Sequence, residues 1–86
     1  MIEVGRLVMS LKGHDAGRIY LTVGTDEKSV CLSDGKEHRL SEPKRKNVKH
    51  VYPILDDVRI DVSQMTDGVL RRLLKEKGKV YDSIIN

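Results

Sequence analysis

Short runs of alternating apolar and polar residues, each ended by Gly, Asp or Pro, fill residues 3–53 of this chain. In the first run, residues 3–11, Leu7, Met9 and Leu11 recur at every second position. A period of two is the period of a pleated strand, and such short runs between turn residues are typical of small barrels and sandwiches. The pattern therefore predicts a mainly β fold.

The same alternation predicts four further strands, at residues 18–23, 28–33, 36–40 and 47–52. The pair Asp34-Gly35 favours a two-residue hairpin turn between the third and fourth strands. Pro53 is expected to stop the fifth strand because proline lacks a backbone donor. Five short strands indicate a small barrel, whose closure would hide strand edges that otherwise promote aggregation. We expect this barrel to occupy residues 1–53.

After the barrel the periodicity changes. Residues 54–65 form a connector or an extra strand. From Thr66, a suitable N-cap, we predict one amphipathic helix over residues 66–78, ended by Gly78 and followed by a tail over 79–86. Its apolar stripe consists of Val69, Leu70, Leu73 and Leu74. So short a helix is unstable alone in water and must pack on the barrel or on a partner.

Length and composition exclude several classes of protein. A chain of 86 residues builds a single small core, which leaves little material for the walls of an enzyme pocket. Its one cysteine makes no internal disulfide, no apolar run reaches the roughly 20 residues that span a bilayer, and the start lacks a secretory pattern. We expect a cytoplasmic protein that is not an enzyme, with no cofactor, metal, membrane or small-molecule substrate.

Basic residues are concentrated in residues 36–50. The whole chain has a net charge of +3, whereas this stretch alone has six Lys or Arg against two Glu, a net charge of +4. A local basic cluster is the electrostatic footprint of a polyanion partner, although an ordinary solvated surface is the alternative. If the cluster binds RNA, changing Lys44, Arg45 and Lys46 together to Glu is expected to abolish RNA retention and to leave the fold intact.

Tyr20 and Tyr52 are the only aromatic residues in the predicted barrel. Each could stack on an unpaired base or fill the core, which contains no Phe or Trp. With so few aromatic side chains, structured RNA bound through its backbone is favoured over single strands bound by stacking.

The first predicted turn carries a more specific pattern. A glycine, Gly17, lies between two alternating strands, as in the KOW motif, which this region resembles. We expect Gly17 to turn the chain tightly where a Cβ would clash. Three pieces over residues 3–52 extend the resemblance to KOW-containing proteins of the large ribosomal subunit: Val4-Gly5-Arg6, Asp15-Ala16-Gly17-Arg18 and Asn47-Val48-Lys49-His50.

The resemblance implies an SH3-like barrel that binds RNA, chiefly ribosomal RNA, in translation or ribosome assembly, with ribosomal proteins as further candidate partners. Gly13, Asp15 and Gly17 are expected to shape the turn. The candidate RNA contacts are the basic residues of the first loop and of residues 36–50, namely Lys12, His14, Arg18, Lys36, Arg39, Lys44, Arg45, Lys46, Lys49 and His50. The alternative is an SH3-like protein-interaction adaptor without direct RNA contact, because KOW domains of NusG-type factors often contact proteins.

Overall fold

The computed structural model describes residues 2–54 and 59–85. Its sheet consists of five antiparallel strands, β1 (Leu7–Ser10), β2 (Ile19–Thr25), β3 (Ser29–Ser33), β4 (Lys44–Asn47) and β5 (Val51–Ile54). Their order is β4-β3-β2-β1-β5, and a single 3₁₀ turn, Val48–His50, joins the two outer strands. The helix α1 (Asp67–Ile85) follows. The predicted fold class, a small SH3-like barrel of five strands with a C-terminal helix, is confirmed.

The sheet is buried on both faces. One face, the inner face, carries a cluster drawn from β1, β2, β3 and β5, made of Val8, Tyr20, Val30, Leu32 and Val51. Its outer face carries a second cluster, made of Leu7, Leu21, Ile54 and Leu70 of α1. Leu70 is fully buried there, which contributes roughly 2 kcal/mol to stability. The helix therefore packs on the barrel, and its partner is this outer face.

The fourth strand predicted at residues 36–40 is wrong. The chain forms a loop after β3, and the fourth strand is Lys44–Asn47. The carboxylate of Asp34 accepts hydrogen bonds from the backbone N–H groups of Lys36 and His38, at 2.9 and 3.0 Å. These donors are then not free for a strand ladder, because local side-chain bonds compete with pairing. The turn signal therefore produces a loop instead of a two-residue hairpin.

The fifth strand also differs from the prediction. Val48–His50 form the 3₁₀ turn, and β5 starts only at Val51 instead of at residue 47. Pro53 does not stop this strand but lies within it, opposite Val8. Because β5 is an outer strand of the sheet, a residue without an N–H is tolerated there.

The helix begins as predicted but continues further. Thr66 caps it, because its Oγ1 accepts a hydrogen bond from the N–H of Val69 at 3.2 Å. Val69 itself is exposed and lies outside the apolar stripe. Gly78 does not end the helix, which runs on to Ile85 where a tail over residues 79–86 was predicted. Gly78 therefore lies inside a helix, a position where glycine is unfavourable.

The connector is described only in part, since residues 55–58 lie outside the described residues. Its remainder, residues 59–65, contains the 3₁₀ turn Val62–Gln64 and no strand, and Ile60 packs on the outer cluster. Within the described ranges, α1 and the shorter turns are not apolar enough over a sufficient length to cross a bilayer.

Candidate nucleic-acid interface

The loop between β1 and β2, residues 11–18, is held to the barrel by one carboxylate. Asp15 is only 7% exposed, and its two oxygens accept four hydrogen bonds from side chains. The donors are Ser10 Oγ at 2.8 Å, Tyr20 OH at 2.9 Å, Lys44 Nζ at 2.9 Å and Lys46 Nζ at 2.8 Å. We call these five residues the Asp15 network.

The network keeps its carboxylate ionised. Burial alone would raise the pKa of Asp15, but the hydrogen bonds from Lys46, Lys44, Ser10 and Tyr20 outweigh it and hold the pKa well below its usual range. Burial, together with the hydrogen bond to Asp15, raises the pKa of the Tyr20 hydroxyl, which therefore stays a donor. The loop is thus fastened to β2 and β4 by charge-assisted hydrogen bonds.

Two of the lysines predicted to bind RNA belong to this network. The side chain of Lys46 is 10% exposed, and its ammonium group also donates to the backbone oxygen of Lys12 at 2.8 Å. The side chain of Lys44 is 32% exposed. Their charges are directed at Asp15 in the folded chain, so both lysines position the loop.

The loop itself has a backbone conformation that requires glycine. Gly17 has a φ of +90°, and its N–H donates to the oxygen of Ser10 at 2.8 Å. A Cβ on Gly17 would meet no atom within 4 Å, so the predicted clash is wrong. Glycine is needed because other L-residues rarely adopt this φ.

Basic residues lie around the fastened loop, of which Lys12, His14 and Lys49 are exposed and His50 is half-buried. Lys12 and His14 project from the loop, and the N–H of Leu11 donates to the oxygen of His50 at 2.8 Å. This bond brings the loop next to the 3₁₀ turn that carries Lys49 and His50. We call Lys12, His14, Lys49 and His50 the barrel-end surface.

Arg45 lies on the other side of β4 from its two lysine neighbours, as the strand period requires. Its guanidinium pairs with Asp26, and its Nε donates to Ser29 Oγ at 2.8 Å. Hydrogen bonds from the N–H of Lys28 and from the hydroxyl and N–H of Ser29 lower the pKa of Asp26 to about 2. Arg45 therefore fastens the β2–β3 turn and lies apart from the Asp15 network.

The remaining candidates lie nearer to α1. Arg39 is exposed in the loop after β3. Arg18 pairs with Glu37 at 3.4 Å, and both side chains are more than half exposed. Arg18 and Lys36 line an open groove together with two helix residues, Arg71 and Lys75. These two were not among the candidate RNA contacts, because from the sequence their helix face could touch RNA or be an ordinary solvated face, and only the packing of α1 brings them beside Arg18.

The two barrel tyrosines have different environments. Tyr20 is completely buried, so its ring belongs to the core. Tyr52 is 56% exposed on β5, opposite Met9. Of these two, Tyr52 is the one that a base could reach.

No protein-family model matches the chain. Over 68 residues it is 34% identical to the large ribosomal subunit protein eL14 of Methanococcus vannielii. The aligned region takes in 79% of this chain and 83% of the Methanococcus protein.

Proposed function

Since the chain belongs to the family of large ribosomal subunit protein eL14, we propose that it is a ribosome-associated protein that binds ribosomal RNA through the barrel-end surface. The observation that carries this proposal is a mostly exposed group of basic residues around a fastened loop. Lys12, His14, Lys49 and His50 surround a turn that the buried Asp15 holds in place. A rigid surface of this kind binds phosphates without first ordering a loop.

The contacts divide into two roles. The exposed ammonium groups of Lys12 and Lys49 would neutralise phosphates, which supplies affinity and position without reading sequence. Lys44 and Lys46 would act through the loop by holding Asp15. Ribosomal proteins that lie beside the bound RNA are further candidate partners.

The test uses fragmented large-subunit ribosomal RNA and measures its dissociation constant across a salt titration. We expect log K to fall linearly with log salt concentration, because neutralised phosphates release counterions. The variant Lys12→Glu/Lys49→Glu should weaken binding by about tenfold or more and reduce the salt slope by about 1–2 units. A flat salt dependence of the unmodified protein would contradict the proposal.

The matched control is Arg72→Glu/Lys79→Glu, which changes the net charge by the same amount on an exposed part of α1. It should leave affinity close to that of the unmodified protein. A second test is sedimentation of the tagged protein through a sucrose gradient. We expect co-migration with the large subunit that RNase removes, whereas an association that survives both nuclease and high salt would favour the protein-interaction adaptor.

A further inference from the structure

The groove between α1 and the barrel is a concentrated positive site. It has a volume of about 390 Å³ and is open to solvent. Among the residues whose side chains the structure describes, its charged lining consists of Arg18, Lys36, Arg71, Lys75 and Asp34, a net charge of +3. The cations come from three separate segments: the first loop, the loop after β3 and the helix. No segment of the sequence shows this convergence by itself.

The walls of the groove are fixed relative to one another. The guanidinium of Arg71 donates to the oxygen of Gly35 at 2.6 Å, and the N–H of Leu40 donates to Asp67 Oδ1 at 2.8 Å. Gly35 lies so close to the start of α1 that a Cβ there would be 2.5 Å from the oxygen of Asp67. The loop after β3 and the helix therefore form one rigid frame, which lowers the entropic cost of binding.

In the part of the chain whose side chains are described, the acidic residues near the groove do not cancel its charge. Asp34 already accepts hydrogen bonds from two backbone N–H groups, those of Lys36 and His38. Glu37 pairs with Arg18 at 3.4 Å, but both side chains are more than half exposed and such pairs are weak. Counting Glu37 as well leaves a net charge of +2, so Arg18 can still attract a second anion.

Gly78 gives an independent reason to regard the groove as functional. Glycine inside a helix is about 1 kcal/mol less favourable than alanine. A Cβ at Gly78 would lie 3.8 Å from Cδ1 of Ile19, which is ordinary van der Waals contact, so packing does not require glycine. Its missing side chain keeps the floor of the groove open beside Ile19 and Leu74.

We propose that this groove is a second binding site for backbone phosphates of the same RNA, an inference that rests on the proposed function. Arg18 immediately follows the turn that carries Lys12 and His14, so the groove and the barrel-end surface share one loop. An open groove with cations on both walls suits a passing polynucleotide chain better than a small ligand, which favours an enclosed pocket. The RNA then contacts both the barrel end and the helix side.

The test compares three double variants with equal changes in net charge, using the same ribosomal RNA fragments. These are Lys36→Glu/Lys75→Glu in the groove, Lys12→Glu/Lys49→Glu at the barrel end and Arg72→Glu/Lys79→Glu as control. We expect the groove variant to lose about tenfold in affinity and about 1–2 units of salt slope, while the control stays near the unmodified protein. Thermal unfolding should show that all three remain folded.

The outcomes separate the two proposals. If only the barrel-end variant loses affinity, the groove proposal is overturned and the proposed function stands. If neither loses affinity, the proposed function fails as well. An equal loss in all three variants would show a general charge effect and would also overturn the groove proposal. If the groove variant melts early, Lys36→Gln/Lys75→Gln replaces it, with an expected loss of affinity smaller than that of the charge reversal.

Discussion

Replacing Asp15 by asparagine should destabilise the barrel by about 3 kcal/mol. Removing one partner of a buried ion pair typically costs about 3–5 kcal/mol, because the other charge stays buried and unpaired. Lys46 is in this position, with a side chain 10% exposed. Lys44 is 32% exposed and can turn toward water, so the lower end of the range applies. A domain of this length has a total stability of roughly 4–13 kcal/mol, so the loss is a large part of it.

Urea unfolding followed by circular dichroism measures this free energy, and thermal unfolding gives a second estimate. For a domain of this size we expect Tm to fall by about 12–24 °C. The matched control is Asp26→Asn, which alters an exposed carboxylate paired with Arg45. Its effect should be much smaller, since exposed ion pairs contribute little.

The pH dependence tests the cause of the loss. The pKa of Asp15 is lowered in the folded state, against about 3.9 for an unfolded aspartate. Its stabilising contribution is therefore complete above the unfolded pKa and declines as the pH falls below it toward the folded pKa. The difference in unfolding free energy between Asp15→Asn and the unmodified protein should be constant near neutral pH and shrink below about pH 4. A difference that persists unchanged at pH 2 would refute the assignment to the carboxylate charge.

A double-mutant cycle tests whether Asp15 and Lys46 are energetically coupled. Lys46→Met removes the charge that Asp15→Asn leaves unpaired, so the double variant should be more stable than the sum of the single losses predicts. Residues in one salt-bridge network show coupling of about 0.5–3 kcal/mol. Additivity within about 0.3 kcal/mol would show that the two residues are not coupled and would refute the reasoning.

Three further substitutions follow from the described geometry, and urea unfolding measures each. Gly17→Ala should destabilise by about 1–2 kcal/mol, because its φ of +90° is unfavourable even though a Cβ has room; an unchanged midpoint would contradict this. Gly78→Ala should stabilise by about 1 kcal/mol, and a loss would show that the fold itself requires glycine there. Tyr20→Phe should cost about 1–3 kcal/mol, because a buried hydroxyl bond to Asp15 is lost, whereas Tyr52→Phe on the exposed strand should be near neutral.

The resemblance to KOW-containing ribosomal proteins and the mainly β fold were both predictable from the sequence, and both are confirmed. Period-two alternation located β1, β2 and β3, but the two sets of alternating positions line two buried clusters, so Val8 and Tyr20 are core residues and Ser10 and Thr22 are buried polar ones. Thr66 predicted the start of α1 correctly, because an N-cap depends only on contacts within the first turn of the helix.

Errors arose where distant contacts override local signals. The pair Asp34-Gly35 favours a hairpin, but Gly35 approaches the first turn of α1 and Leu40 is bonded to Asp67, more than 20 residues along the chain. These contacts keep the chain in a loop after β3, so the next strand, β4, begins only at Lys44. Gly78 is likewise a residue type typical of helix ends, yet the helix continues past it, with Gly78 beside Ile19 of the barrel.

The net charge of each segment was predictable from the sequence, but which of its cations are exposed and unpaired in the fold was not. The net charge of +4 in residues 36–50 is real, yet half of its six cations are paired with acids from other parts of the chain. Asp15 takes two of them and Asp26 takes one. Conversely, Arg71 joins the loop after β3 only through tertiary packing. Net charge per segment therefore overestimated one candidate surface and missed another.

The alternation along β4 also decides which variants can test RNA binding. Lys44 and Lys46 face Asp15, so changing Lys44, Arg45 and Lys46 together to Glu would place two carboxylates against a buried one. Like charges at this distance are strongly unfavourable, so this variant should melt well below the unmodified protein instead of keeping its fold. Loss of RNA retention would then report unfolding and not lost phosphate contacts. Thermal unfolding measures the effect, and a triple variant that melts with the unmodified protein would contradict the positioning role of Asp15.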